Sequence, residues 1–390
     1  MISTAEALSR IEKSIKNTKV EKVHLQESLG CILSEDILSP INLPMFDQSA
    51  MDGYALKKGE GNSFKVIGEI QAGDDATEIV LQAGEAIKIF TGAMCPVSVD
   101  LVCRIEDIQE DGDAIHVIVM PPVGANVRKE KEQIEKGELA LKEGHVINPA
   151  TIGFLANLGV SEVSVYSLPK VAILSTGNEL CAPGTELTPG KIYESNGVML
   201  DAALKQLNLN VVKSSKTIDT LESTIDAIQE LLANADILII TGGISVGDYD
   251  YVAAALEENG VEQVFHKVSQ KPGKPFYFGT KEGQLIFALP GNPAAVLTCF
   301  YMYVLPAIQK YKGGNFEGLS CEEMISKSVI EKTMPREQFL KAFYLGNEVR
   351  VLEGQSSAML HTFSDANALV YLPSHTKLED GDRVMTYKLF

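Results

Sequence analysis

Between about residues 168 and 314, short apolar runs alternate with longer stretches of helical periodicity. Val171–Leu174, Asn210–Lys213, Asp236–Ile240 and Gln284–Leu289 read as strands, and Gly197–Leu207, Leu221–Leu232, Tyr251–Asn259 and Ala294–Tyr311 as helices. This alternation predicts a parallel sheet with helices on both faces. Such sheets bind ligands beyond the carboxyl ends of their strands. Each predicted strand here leads into a loop of unusual composition, so the four loops should open on one edge.

The flanks have a different pattern. Phe64–Met120 holds FKVIGEI, EAIKIF, LVCRIEDI and AIHVIVM, separated by Gly and Asp clusters, and predicts a small, mostly β domain. From about Gly318, FLKAFYL, EVRVLE, ALVYLP and DRVMTYKLF predict a second β module. The N-terminal MISTAEALSRIEKSIKN reads as an amphipathic helix with Ala5, Leu8, Ile11 and Ile15 on one face. It lacks the apolar core and cleavage site of a signal peptide.

Composition narrows the function classes. The 390 residues exceed one ordinary core, and the 45% apolar and 22% charged fractions are those of a globular protein. No apolar run is long enough to span a membrane. A net charge of −18 argues against nucleic acid or an anionic membrane as partner. An anionic substrate must then be met by local positive charge or by a metal. The six cysteines form no CxxC pair, which points to a reducing, cytoplasmic location. The six histidines have no metal-ligand spacing, so any metal should be a hard cation held by oxygens.

The richest segment is ADILIITGGISVGDYDY, residues 235–251. Its apolar strand runs into Thr241-Gly242-Gly243, then Ser245, Asp248 and Asp250. Glycines let backbone N–H groups approach a phosphate. The neighbouring carboxylates would repel that phosphate unless a divalent cation lay between them. In STGNEL, Ser175 and Thr176 suit a phosphate and Glu179 a cation or amine, although an N-cap with an acidic first turn reads equally from the pattern. Asp219 is either an N-cap for the helix near Leu221 or a site carboxylate, and capping is the simpler reading. FHKVSQKPGKPFY holds Lys267, Lys271 and Lys274 among prolines that fix the backbone, as an anion clamp would. LPGNP, with Pro290 and Pro293, makes a rigid turn before a helix N-terminus that could receive an anion. FDQSAMDGYA, with Asp52, reads as either a turn or a site. Thr91-Gly92-Ala93 reads as a cap or a phosphate contact.

In this order the segments FDQSAMDGYA, TGA, STGNEL, GKIYESN, TGGISVGDYDY, KPGKPF, LPGNP and AMLHTFSDANALVYLP resemble the molybdopterin molybdenumtransferase family, which includes MoeA and the gephyrin E-domain. The resemblance implies an α/β and β multidomain fold with a central parallel-sheet domain of the molybdopterin-binding type. Its implied boundaries are 1–19 and 167–316 for that α/β domain, 20–38 and 140–166 for an elongated linking domain, 39–139 for the small β domain, and 317–390 for a β-barrel-like C-terminal domain. It implies molybdate insertion into adenylylated molybdopterin, with Mg²⁺-dependent anhydride cleavage and release of AMP. The assembly implied is a homodimer whose cleft uses both chains, and a molybdopterin adenylyltransferase and molybdoenzyme-maturation proteins are candidate partners. Two other readings accompany it: an adenylyltransferase on the same core, and a non-catalytic scaffold of gephyrin type.

By the same resemblance Asp52, Thr91, Glu179, Asp219, Asp250, Lys267 and Lys271 are catalytic, with Glu179, Asp219 and Asp250 on the metal. Ser175, Thr176, Gly242, Gly243, Ser245, Lys274, Pro290, Pro293, Lys341 and Ser357 would bind the pterin substrate or molybdate. Three positions in two segments depart from the family. Lys341 stands where arginine is frequent, with Arg336 nearby as a substitute, and ANVRKEKEQ has Lys131 and Gln133 where Gly and an acidic residue are usual.

Overall fold

The computed structural model describes residues 1–15, 19–244 and 251–389. The chain divides into two compact units, one formed by Met1–Glu21, Gly30–Ile32 and Val165–Phe390, the other by Lys22–Leu29 and Leu33–Ser164.

In the first unit, the expected parallel sheet is present. Val171–Thr176 lies between Val211–Thr217 and Ile237–Thr241, and Gln284–Leu289 follows; all three pairings are parallel. Tyr277–Lys281 and Glu262–His266 extend the sheet in antiparallel fashion. Strand residues alternate between two cores. Val171, Ile173, Ile237, Ile239 and Phe287 face a cluster completed by the helices Thr4–Ser14, Asn196–Gln206 and Pro293–Cys299. Ala172, Leu174, Leu238, Ile240 and Ile286 face the helices Leu221–Leu232 and Val252–Glu258. Both faces are covered, which is why these strands read as continuous apolar runs.

The spatial order puts the first strand between the second and third, so the chain turns away in opposite directions on either side of Val171–Thr176. A crevice opens at such a switch point, here between the ends of the Val171 and Ile237 strands. One expected helix is altered. Ala294–Tyr311 was expected as a single α-helix; it is α-helical over Pro293–Cys299 and Leu305–Tyr311 with a π-helical turn, Phe300–Val304, between them. Pro306 has no N–H to donate into the preceding turn, and the wider turn accommodates that loss.

The C-terminal region closes into a five-stranded barrel. Glu337–Leu345 pairs with both Glu348–Val351 and Ala368–Leu372, and Cys321–Ser326 and Arg383–Lys388 complete the ring. Gln270–Lys271 adds a short parallel strand outside Glu337–Leu345.

In the second unit, six strands between Gly53 and Val117 form one mixed sheet with a buried cluster on each face. This is the small β module expected from the sequence. Gly53 is required here by packing: a Cβ at this position would lie 1.9 Å from the Cys103 carbonyl oxygen of the neighbouring strand. No helix among the described residues is long and apolar enough to cross a membrane.

Candidate active site

The carboxyl ends of the parallel strands enclose a cavity of about 560 Å³. Thr176, Glu179, Asp219, Gly242, Gly243, Pro290 and Pro293 all line it, so the four strand-end loops do converge. The two glycines sit at positive φ, +88° and +61°, and press against Thr176. Thr176 Oγ1 is buried and has no hydrogen-bond partner among the described residues; the same is true of Asn196 Oδ1 on the same wall. Buried polar groups are nearly always paired, so these two stand out on the wall of the cavity.

The carboxylates differ in what restrains them. Asp219 Oδ2 accepts from Asn178 N at 2.9 Å, and Asp219 N donates to Asn178 Oδ1 at 3.1 Å. This reciprocal pair joins the ends of two neighbouring strands. The cap of the Leu221–Leu232 helix is Thr220, whose side chain accepts from Ser223 N. Asp219 is thus freed from the capping role that its position suggested. Glu179 folds back over Gly177, where a Cβ would lie 2.7 Å from Glu179 Oε1. Asp250 and Ser245 lie outside the described residues. Two carboxylates with oxygen donors beside them are the donor set a hard cation takes, and no cluster of three or more His, Cys, Asp or Glu suited to a metal occurs among the described residues.

Several sequence-predicted residues sit elsewhere. Ser175 is buried and its hydroxyl donates to Glu194 Oε1 at 3.1 Å, so it braces the wall and does not face the cavity. Lys274 is exposed beside Pro275, which does line the cavity. Lys267 is half-buried at a φ of +75° and its backbone N–H donates to Phe276 O. Lys271 pairs in register with Gln338 and lines a different cavity, so the structure does not bring it to Glu179 and Asp219. Ser357 braces LPGNP: its carbonyl accepts from Ala294 N at 3.1 Å and its hydroxyl from Asn292 Nδ2 at 3.1 Å. The Ala294 amide at the helix start is therefore already taken, which removes it from the anion-binding role expected of that turn.

Lys341 requires a correction. It was expected to hold an oxyanion, but it is buried, at 4% exposure, and its ammonium donates to the carbonyls of Gly354, Ser356 and Met359 at 2.7, 3.2 and 2.9 Å. An ammonium has three N–H donors, and all are used. Burial lowers its pKa below the usual lysine value. Arg336 Nη1 donates to the Gln270 carbonyl at 3.4 Å.

The sequence reading passed over Glu194, Asn196 and Asn292 as site residues, and all three line the cavity. Glu194 Oε1 accepts from Gly197 N at 2.7 Å, and Asn196 Nδ2 donates to Gly291 O at 2.8 Å. For Glu194 and Asn196 the signal was the polar run YESN before a helix, and for Asn292 its place within LPGNP.

In the second unit, Asp52 Oδ1 accepts from both the N–H and the hydroxyl of Thr91, each at 2.8 Å. These bonds favour the ionised form and hold the Asp52 pKa below its ordinary 3.8. A depressed carboxyl contributes stability above the unfolded-state pKa and loses it as pH falls through the folded one. The Asp52 carboxyl carbon, followed by NMR, should titrate below 3.8, and Thr91→Val should move the midpoint part of the way back up. At the two family departures, Lys131 pairs with Glu135 at 2.6 Å and Gln133 N donates to Leu43 O.

Three family descriptions cover the chain in succession: MoeA N-terminal region (domain I and II) over residues 2–159, a probable molybdopterin binding domain over 172–310, and MoeA C-terminal region (domain IV) over 326–389. The molybdopterin molybdenumtransferase of Staphylococcus epidermidis is 33% identical over 96% of this chain and 92% of its own length. The chain belongs to the molybdopterin molybdenumtransferase family. A second family member, from Haemophilus influenzae, is 34% identical over 95% of this chain and 94% of its own. The structure of a molybdopterin biosynthesis MoeA protein from Pyrococcus horikoshii superposes with a TM-score of 0.86 at 31% identity, covering 100% of this chain and 99% of that one. The family is one of enzymes, and all but one of the residues lining the strand-edge cavity fall within the stretch matched by the probable molybdopterin binding domain.

Proposed function

We propose that this chain inserts molybdate into adenylylated molybdopterin, breaking the phosphoanhydride and releasing AMP. The observation that supports it best is the strand-edge cavity, where two orphaned polar atoms and two carboxylates meet at a topological switch point. The glycine pair lets the backbone approach a phosphate, and Thr176 Oγ1 donates its unused hydrogen to a phosphate oxygen. Asn196 Oδ1 accepts from a pterin or sugar N–H or O–H, while Asn196 Nδ2 stays on Gly291. Lys274, next to Pro275 at the cavity wall, offsets negative charge that builds on the phosphates.

Glu179 and Asp219, with Asp250 as a third candidate, are the residues that would hold Mg²⁺, which would supply charge neutralisation of the anhydride. An oxygen of water or molybdate bonds to phosphorus as the anhydride P–O bond breaks. One phosphate stays on the pterin and the other leaves on AMP.

Asp219→Ala should lower AMP release from adenylylated molybdopterin, with Mg²⁺ and molybdate present, by roughly a hundredfold or more. The variant should remain folded, because Thr220 still caps the helix. AMP release within threefold of the parent protein would rule out the assignment. ATP-dependent adenylylation of molybdopterin by the parent protein would redirect it to the earlier step.

A further inference from the structure

Two polar side chains beneath the turn formed by residues 271–275 are fully buried and take no part in the proposed reaction. Gln270 and Tyr303 are each 0% exposed. Burying such groups is unfavourable unless their hydrogen bonds are made, and here the two make one with each other. The Tyr303 hydroxyl donates to Gln270 Oε1. Burial pushes the Tyr303 pKa well above the ordinary 10, so the hydroxyl keeps its proton and stays a donor. Gln270 Nε2 donates to the Pro272 carbonyl at 2.9 Å and to Cys299 Sγ at 3.6 Å. The amide oxygen and both amide hydrogens are thus engaged.

These contacts fix the turn at both ends. Gln270 precedes it, and its amide reaches over to Pro272 within it. Phe276 follows it, and the Tyr303 ring stacks on the Phe276 ring with centroids 4.6 Å apart. Between them Gly273 lies close against the helix: a Cβ there would be 2.5 Å from Cys299 Sγ and 2.8 Å from Gln270 Nε2, at a φ of +89°. The main chain closes the turn, since Val268 N donates to Lys274 O at 3.1 Å and Lys267 N to Phe276 O at 2.9 Å. Cys299 ends the helix Pro293–Cys299, and Tyr303 belongs to the π-helical turn that continues it. That helix starts at Pro293, on the wall of the strand-edge cavity. The turn carries Lys274, whose side chain is exposed.

We propose that Gln270 and Tyr303 are positioning residues for the reaction. They seat the turn on the helix that starts at the cavity wall, and so fix where Lys274 stands relative to Pro275 and the substrate phosphates. The inference rests on the reading in which Lys274 meets those phosphates. A lysine is a point charge on a flexible stem, so the fold presets its approach chiefly through its main chain. Apolar residues of the same shape would fill this space at less desolvation cost. A fully satisfied buried network holds one arrangement where apolar packing tolerates several, and that accounts for the polar pair.

AMP release from adenylylated molybdopterin, with Mg²⁺ and molybdate present, tests this in variants of the full chain. Tyr303→Phe leaves Gln270 Oε1 buried without its donor, so the variant should melt earlier. Its AMP release should fall roughly tenfold, the share of one charge-assisted bond. Adding Gln270→Met removes the stranded amide, so the paired variant should melt closer to the parent than Tyr303→Phe does, while AMP release stays low. Lys274→Ala should lower AMP release by a similar factor. In that background Tyr303→Phe should change it less than about twofold, because both act through the same ammonium. Recovery of AMP release together with melting in the paired variant would overturn the proposal, since stability alone would then explain the loss. So would an undiminished loss when Tyr303→Phe is added to Lys274→Ala. Parent-like release in Tyr303→Phe, with Lys274→Ala impaired, would overturn the positioning role and leave the reading of Lys274 standing. Parent-like release in Lys274→Ala would remove that reading and the proposal with it.

Discussion

Alanine at Gly242 should lower turnover roughly a hundredfold. The new Cβ would lie 2.7 Å from the Thr176 carbonyl oxygen and 2.8 Å from Thr176 Oγ1, at a φ of +88°. The left-handed conformation alone costs a residue with a Cβ roughly 1–2 kcal/mol, and the overlap adds about 1–3 kcal/mol. The Thr176 strand cannot retreat, because it is hydrogen-bonded on both sides within the sheet. The glycine loop must move instead, and with it the backbone donors proposed for the phosphate. A displacement of about 1 Å is enough to cost roughly a hundredfold in rate. Gly291→Ala is the control: its Cβ would meet only Gly242 Cα, at 3.8 Å. AMP release should fall roughly a hundredfold in Gly242→Ala and change little in Gly291→Ala. Equal activity in the two variants would show that close backbone approach is not what the glycine supplies.

Methionine at Lys341 should loosen the barrel and the wall it supports. The side chain keeps its length but loses all three donors, so the carbonyls of Gly354, Ser356 and Met359 are left without their partner. Leaving buried acceptors unpaired costs about 1–3 kcal/mol for each that water cannot reach, so a loss of roughly 2–4 kcal/mol is expected. The effect should spread, because the same loop presents Ser357 to Asn292 and Ala294. Amides of residues 354–359 should exchange with solvent faster, the C-terminal region should melt earlier, and AMP release should fall roughly tenfold. Arginine should not restore the parent behaviour, because its planar fork cannot direct three donors at carbonyls converging on one point. Unchanged exchange and melting in Lys341→Met would show that the ammonium is not what holds the loop.

Lys341 also shows where a motif reading stops. The residue falls where a cation is expected, and a buried cation remained compatible with a substrate anion until the acceptors around it were counted. Those acceptors are main-chain carbonyls 13 to 18 positions away, and a backbone carbonyl has no residue identity to read. For Asp219, position alone and the family resemblance pointed to different roles. Its position before a helix favoured a cap, yet Thr220 took that role and left the carboxylate facing the cavity. Neighbouring Asp and Thr can both cap, and only the backbone angles choose between them. Glu194, Asn196 and Asn292 went unassigned because each gains its meaning from a partner on another loop.

The sequence by itself determined the layered α/β core, both β modules and the convergence of the strand-end loops. Apolar periodicity and glycine placement are local properties, and the right-handed crossover then leaves few ways to join the elements. The tertiary structure alone decided which polar groups are already satisfied. It pairs Lys341, Ser175 and the Ala294 amide with protein groups, leaves Thr176 Oγ1 and Asn196 Oδ1 without a partner among the described residues, and sets Lys271 beside Gln338 of the barrel. Hydrogen-bond capacity is used up by contacts between segments far apart in the chain, so only the folded arrangement shows how much of it remains for a ligand.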